Sequence, residues 1–216
     1  MEYVKISNLD NDEEDAKSSI NVRLKKLYSA KVYFCLLVIF AIMGFIHACL
    51  FITIGVREYI QQYQTIFVFC LISPLLSTLV LKTAKSGILK YLGFLFQLVT
   101  FFLFFASIGL VYDIELFYIV CFITSLNSLF AFLYSVQPKY YLKPREMIIF
   151  SVISSIVNST FVQLMLAFYQ FPWIPAILVS CLVFMYISYN INFFMSSSSA
   201  QNWLEGVSNV FTKLPY

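Results

Sequence analysis

Six long apolar runs, separated by short polar stretches, set the pattern of this 216-residue chain. They cover residues 32–55, 65–81, 88–111, 114–136, 147–168 and 173–195. Each is continuously apolar, with no two-residue alternation, which predicts helices and excludes barrel strands. About 20 residues cross a bilayer as a helix, so each run is long enough to span, the second near the short limit. A seventh segment, 200–214, differs: it is short and carries Asn202, Glu205, Asn209 and Lys213. It is too polar to cross facing lipid, but other helices can shield it part-way in. Residues 1–30 are polar, and their acidic cluster Asp12–Asp15 reads as a solvated, disordered tail. The expected fold is all-α: a polytopic membrane bundle (31–216) of six spanning helices plus a short re-entrant or plug helix, preceded by a cytosolic tail (1–30).

Composition sharpens this. Hydrophobic residues make up 61%, aromatic 19% and charged residues 12%, with a mean hydropathy of +0.84. A soluble domain is about a quarter charged, so there is too little charge here to coat a soluble surface. The aromatic content excludes a disordered chain. The net charge of +3 forms no dense basic patch, so no nucleic-acid partner is expected.

The basic residues instead report orientation. Lys5, Lys17, Arg23, Lys25, Lys26 and Lys31 precede or open the first run, Lys82, Lys85 and Lys90 lie between the second and third, Lys139, Lys143 and Arg145 between the fourth and fifth, and Lys213 follows the sixth. The opposite side holds Arg57 alone, so thirteen of the fourteen basic residues share one side. The positive-inside rule then places both termini in the cytosol. A seven-helix receptor would need the opposite N-terminal orientation.

Polar groups inside the runs are the candidate chemistry. The fifth run carries Ser151, Ser154, Ser155, Asn158, Ser159 and Gln163 in steps of three and four, on one helix face. Asn158, Ser155 and Gln163 define an inward polar face, which serves either hydrogen bonding between helices or a hydrated path. The sequon Asn158-Ser159-Thr160 falls mid-membrane and is a chance match. Thr124, Ser125, Asn127 and Ser128 in the fourth run, and Gln97, Thr100 and Ser107 in the third, read as packing groups. The polar end of the sixth run, Ser188-Tyr189-Asn190-Ile191-Asn192, reads equally as interface solvation or a functional site. His47, the single histidine, reads as hydrogen-bonded to a neighbouring helix, and Pro74 is expected to kink the second span.

Catalytic signatures are missing. There is no H-E-x-x-H, G-x-S-x-G or glycine-rich phosphate loop, so no enzyme and no cofactor is expected. The five cysteines lie in apolar runs without close pairing, as small apolar fillers rather than a disulfide or zinc framework.

The order of these features resembles the Bax-inhibitor family, the transmembrane Bax inhibitor motif proteins, over roughly residues 22–214. Leu24-Lys25-Lys26-Leu27-Tyr28 is similar to the family's Lys-Lys-Val-Tyr opening, and His47 falls where a mammalian member has a histidine. Trp203-Leu204-Glu205 and Val210-Phe211-Thr212-Lys213-Leu214 are similar to the family's final Leu-Asp and Val-Phe-Arg-Lys-Leu stretches. The family's sixth span ends in Asp-Thr-Gln, and that Asp pairs with an acid in the last helix to gate a pH-sensitive calcium leak. Here Ser188 replaces the first acid, and Glu205 matches the second, or Gly206 with a one-residue shift.

The resemblance implies an anti-apoptotic protein of the endoplasmic reticulum or Golgi that regulates stored calcium. Its permeant ion is Ca2+, its gate is Glu205 with Ser188 and Asn190, and its partners are membrane lipid and Bcl-2-family or other membrane proteins. The missing acid favours an alternative, a non-conducting interaction protein of the same fold.

Overall fold

The computed structural model describes residues 2–53, 64–83, 87–111, 114–137, 144–166, 173–197 and 203–212, with residues 55, 58, 59 and 62 between the first two segments. Side chains 1–21 and a minority of later ones, Glu205 and Pro74 among them, lie outside the described set. Among the described residues seven long α-helices are defined: α1 (Glu2–Ile52), α2 (Gln64–Thr83), α3 (Gly87–Val111), α4 (Ile114–Val136), α5 (Pro144–Leu166), α6 (Trp173–Ser197) and α7 (Trp203–Thr212). No strand occurs among the described residues.

Two expectations at the N-terminus change. The acidic stretch is helical and continuous with the first span, since no glycine or proline interrupts the chain before Gly44. The bundle also begins before residue 31: Tyr28, Ser29 and Ala30 are buried, and an apolar span opens at Val22. Tyr28 belongs to the core because it packs on Gly206 of α7, a contact between residues far apart in sequence. The helix of α2 runs on through Pro74.

Among the described residues, five helices are long and apolar enough to cross a membrane: Val22–Leu50 of α1, Gly87–Phe104 of α3, Leu116–Val136 of α4, Glu146–Met165 of α5 and Ile174–Phe194 of α6. The 20-residue α2 is not among these five. Burial is inverted relative to a soluble protein. Asn127 and Ser155 are 0% exposed, whereas Leu164 is 75% exposed and Phe45 66%. In water such a surface would drive aggregation. Against acyl chains it is the stable arrangement, with polar groups turned toward one another. The chain is therefore an integral multi-pass membrane protein.

The longest packing seam joins α1 to α4. Gly44 makes a close approach possible there, since a Cβ at that position would stand 3.2 Å from the Phe122 ring and 3.4 Å from Cys121. The Ser125 hydroxyl donates to the Leu37 carbonyl across the seam at 3.1 Å. α4 also packs on α5 and α6, and α2 packs chiefly on α3, where Thr100 Oγ1 donates to Ser77 Oγ at 2.8 Å. α7 inserts between α1 and α6.

Candidate functional site

Two buried features could carry function: a polar cluster between α4 and α5, and the socket that receives α7.

The cluster is centred on Asn127. Its Nδ2 donates to Ser155 Oγ at 2.9 Å. Its Oδ1 accepts from Ser154 Oγ at 2.7 Å and from Asn158 Nδ2 at 2.7 Å. Asn158 Nδ2 also donates to Ser154 Oγ at 3.1 Å, and Ser155 hydrogen-bonds the Cys181 side chain of α6. The helix period explains the match. Thr124, Asn127 and Ser128 recur at steps of three and one on α4, and Ser151, Ser154, Ser155, Asn158 and Ser159 recur likewise on the facing α5. All eight are buried. Thr124 Oγ1 and Ser159 Oγ are buried with no hydrogen-bond partner among the described residues. Of the residues expected on the inward face, Ser155 and Asn158 lie in the cluster, while Gln163 is only half-buried, beyond it toward the end of α5.

No family model, curated protein or solved structure matches this chain.

The α7 socket is apolar. Gly206, Val207, Ser208, Asn209 and Val210 are all buried, and Val207 and Val210 join the main core with Val32, Leu36, Phe184 and Ile187. The Phe211 ring lies 5.3 Å from Phe101 of α3 and 6.2 Å from Phe40 of α1, centroid to centroid. Tyr28 is near the start of α1's span and Phe40 in its middle third, so α7 runs alongside α1 from one end of the bundle toward its centre. Gly206 is required where Tyr28 presses in: a Cβ there would lie 2.8 Å from Tyr28 Cζ.

The expected gate residues lie on α6 and α7. Glu205 sits in the first turn of α7, with its side chain outside the described residues. Ser188 and Asn190 on α6 are buried. Asn190 Nδ2 donates to the Tyr186 carbonyl at 3.1 Å, and its Oδ1 is buried with no partner among the described residues. His47 is fully buried; its Nδ1 is 2.6 Å from the Met43 carbonyl of the same helix, and its ring centroid is 4.6 Å from that of Phe117 on α4. A carbonyl can only accept, so Nδ1 carries the proton. That bond is made within α1 rather than to a neighbouring helix.

Sequence reasoning took Asn127 for packing glue and missed it as the centre of the cluster. The available signal was the shared three-and-four spacing of polar residues in two runs that an antiparallel connection would place face to face.

Proposed function

We propose that the chain is a Bax-inhibitor-like protein of an intracellular membrane, most fittingly the endoplasmic reticulum. Six spanning helices, α2 included, surround a seventh that re-enters from the cytosolic side as a plug. The activity is a regulated calcium leak, and suppression of cell death follows from the lowered calcium store. The observation that carries this reading is the depth of α7. Ten residues of helix measure about 15 Å, half of a hydrocarbon core of about 30 Å. Its Phe211 ends among Phe40, in the middle third of α1's apolar span, and Phe101, in the middle third of α3. A half-length helix seated in a bundle is a movable stopper rather than another wall.

In this reading Glu205 attracts the cation at the mouth, and Ser188 and Asn190 supply neutral oxygens. A single carboxylate holds Ca2+ weakly, as permeation requires, because tight sites gather several oxygens and more than one charge. Two carboxylates sharing a proton titrate in two separate steps, the second raised toward neutral pH, so their contact breaks as the shared proton leaves. With Ser188 in place of the acid at the end of the sixth span, the leak varies gently with pH.

The test is calcium efflux from proteoliposomes across roughly pH 6 to 8, where a proton-coupled gate would switch. The wild type should leak with shallow pH dependence, Glu205→Gln should leak less, and Ser188→Asp should steepen the pH response. A sharply pH-switched wild-type leak, unchanged by Glu205→Gln, removes Glu205 from the mechanism.

The apolar seal of Val207, Val210 and Phe211 favours a second reading, a non-conducting scaffold for other membrane proteins. Wild-type efflux equal to that of empty vesicles, with membrane-protein partners recovered by cross-linking, would support it.

A further inference from the structure

The outward face of α1 carries positive charge where it should meet only lipid. Steps of three and four through Arg23, Leu27, Lys31, Phe34, Val38 and Ile42 trace one stripe along the helix, and all six are exposed. The four apolar members are between 41% and 52% exposed, so the stripe faces acyl chains. Arg23 and Lys31 therefore lie on the lipid side, about 12 Å apart along the axis. Both fall inside the apolar span that opens at Val22. A lysine at that depth extends its stem along the helix and places its ammonium at headgroup level.

The neighbouring helix borders the same face. The Phe132 ring of α4 lies 5.4 Å from that of Phe34, and Lys26 Nζ donates to the Gln137 carbonyl just past α4 at 3.2 Å. Lys26 is thereby engaged with the end of α4, while Arg23 and Lys31 stay outward.

We propose that this face binds an anionic phospholipid, its phosphate between Arg23 and Lys31 and an acyl chain along Phe34 and Val38. Basic groups at helix boundaries on one leaflet are the usual receptors for such headgroups. Lipid fits better than the alternatives. A soluble phosphate would leave the adjoining apolar stripe unused. A partner helix would favour small residues for close approach, and the stripe is built of Leu, Phe, Val and Ile. Orientation of the chain during insertion does not account for the pattern either, because flanking charge acts there without a lipid-facing register.

The test is native mass spectrometry of the full chain released from nanodiscs of equal phosphatidylcholine and phosphatidylserine. The wild type should retain phosphatidylserine in excess, and high salt should weaken that excess. Lys31→Gln, which keeps Arg23, Lys25 and Lys26, should lower the excess about fivefold, as expected for one basic residue near a membrane surface. Lys31→Arg should preserve it, and Arg57→Gln, from the opposite-side loop, should leave it unchanged. Equal retention of both lipids by the wild type would overturn the proposal, as would an undiminished excess in Lys31→Gln. Displacement by soluble glycerophosphoserine at matched concentration would show that the apolar stripe contributes nothing, and would overturn the assignment to lipid.

Discussion

Asn127 shows how much one side chain can organise inside a membrane. Its amide takes part in three hydrogen bonds to α5, through Ser154, Ser155 and Asn158. Removing it leaves those three groups buried in a site that water cannot cheaply enter. Interhelical bonds of this kind average about 0.6 kcal/mol, so Asn127→Leu is expected to lower stability by about 2 kcal/mol. Asn158→Leu removes one bond to α4 and one within α5, and should cost less. Ile156→Leu, on the exposed face of α5, should cost little. Thermal unfolding of the three variants in one detergent checks the order, and an Asn127→Leu protein as stable as Ile156→Leu would show that the cluster does not hold the helices.

Among the elements, α7 depends most on a single close contact. The ring of Tyr28 occupies the space where a side chain at Gly206 would begin, and Tyr28 is itself buried in the core. The ring cannot swing aside without disturbing Val32 and its neighbours, so the helix must move instead. Gly206→Ala is expected to destabilise the protein by about 1–3 kcal/mol, the usual range for overpacking a filled core. Adding Tyr28→Ala should make the double variant more stable than the sum of the two single losses predicts, because the second substitution removes the clash created by the first. If α7 is a plug, Gly206→Ala should also raise calcium efflux from proteoliposomes. Additive losses in stability would mean that the two residues do not meet.

For the whole molecule the decisive quantity is orientation. If all six runs cross, thirteen basic residues share one side against one on the other, and both termini should face the cytosol. Reporter fusions placed in 56–64, 112–115 and 169–172 should all appear on the lumenal side, and fusions at either terminus on the cytosolic side. A lumenal N-terminus would overturn the orientation and the family reading with it. The same assay tests α2: if it does not cross, 56–64 and the segment joining α2 to α3 will report from the same side.

The apolar runs were readable from sequence because spanning a bilayer is a local demand: each segment must satisfy its own backbone and present apolar side chains over a fixed length. That is why the limits of α2 to α6 lie within about three residues of the runs that foretold them, a normal uncertainty for helix ends. The polar face of α5 was readable for the same reason, since its spacing is a property of one helix. The start of the bundle was not, because Tyr28 is buried by contacts such as that with Gly206, far along the chain. Nor was the role of Asn127, which needed α4 and α5 to be set face to face. A helix declares its own faces in its sequence, but what each face meets is decided by long-range packing, and only the tertiary structure supplies that.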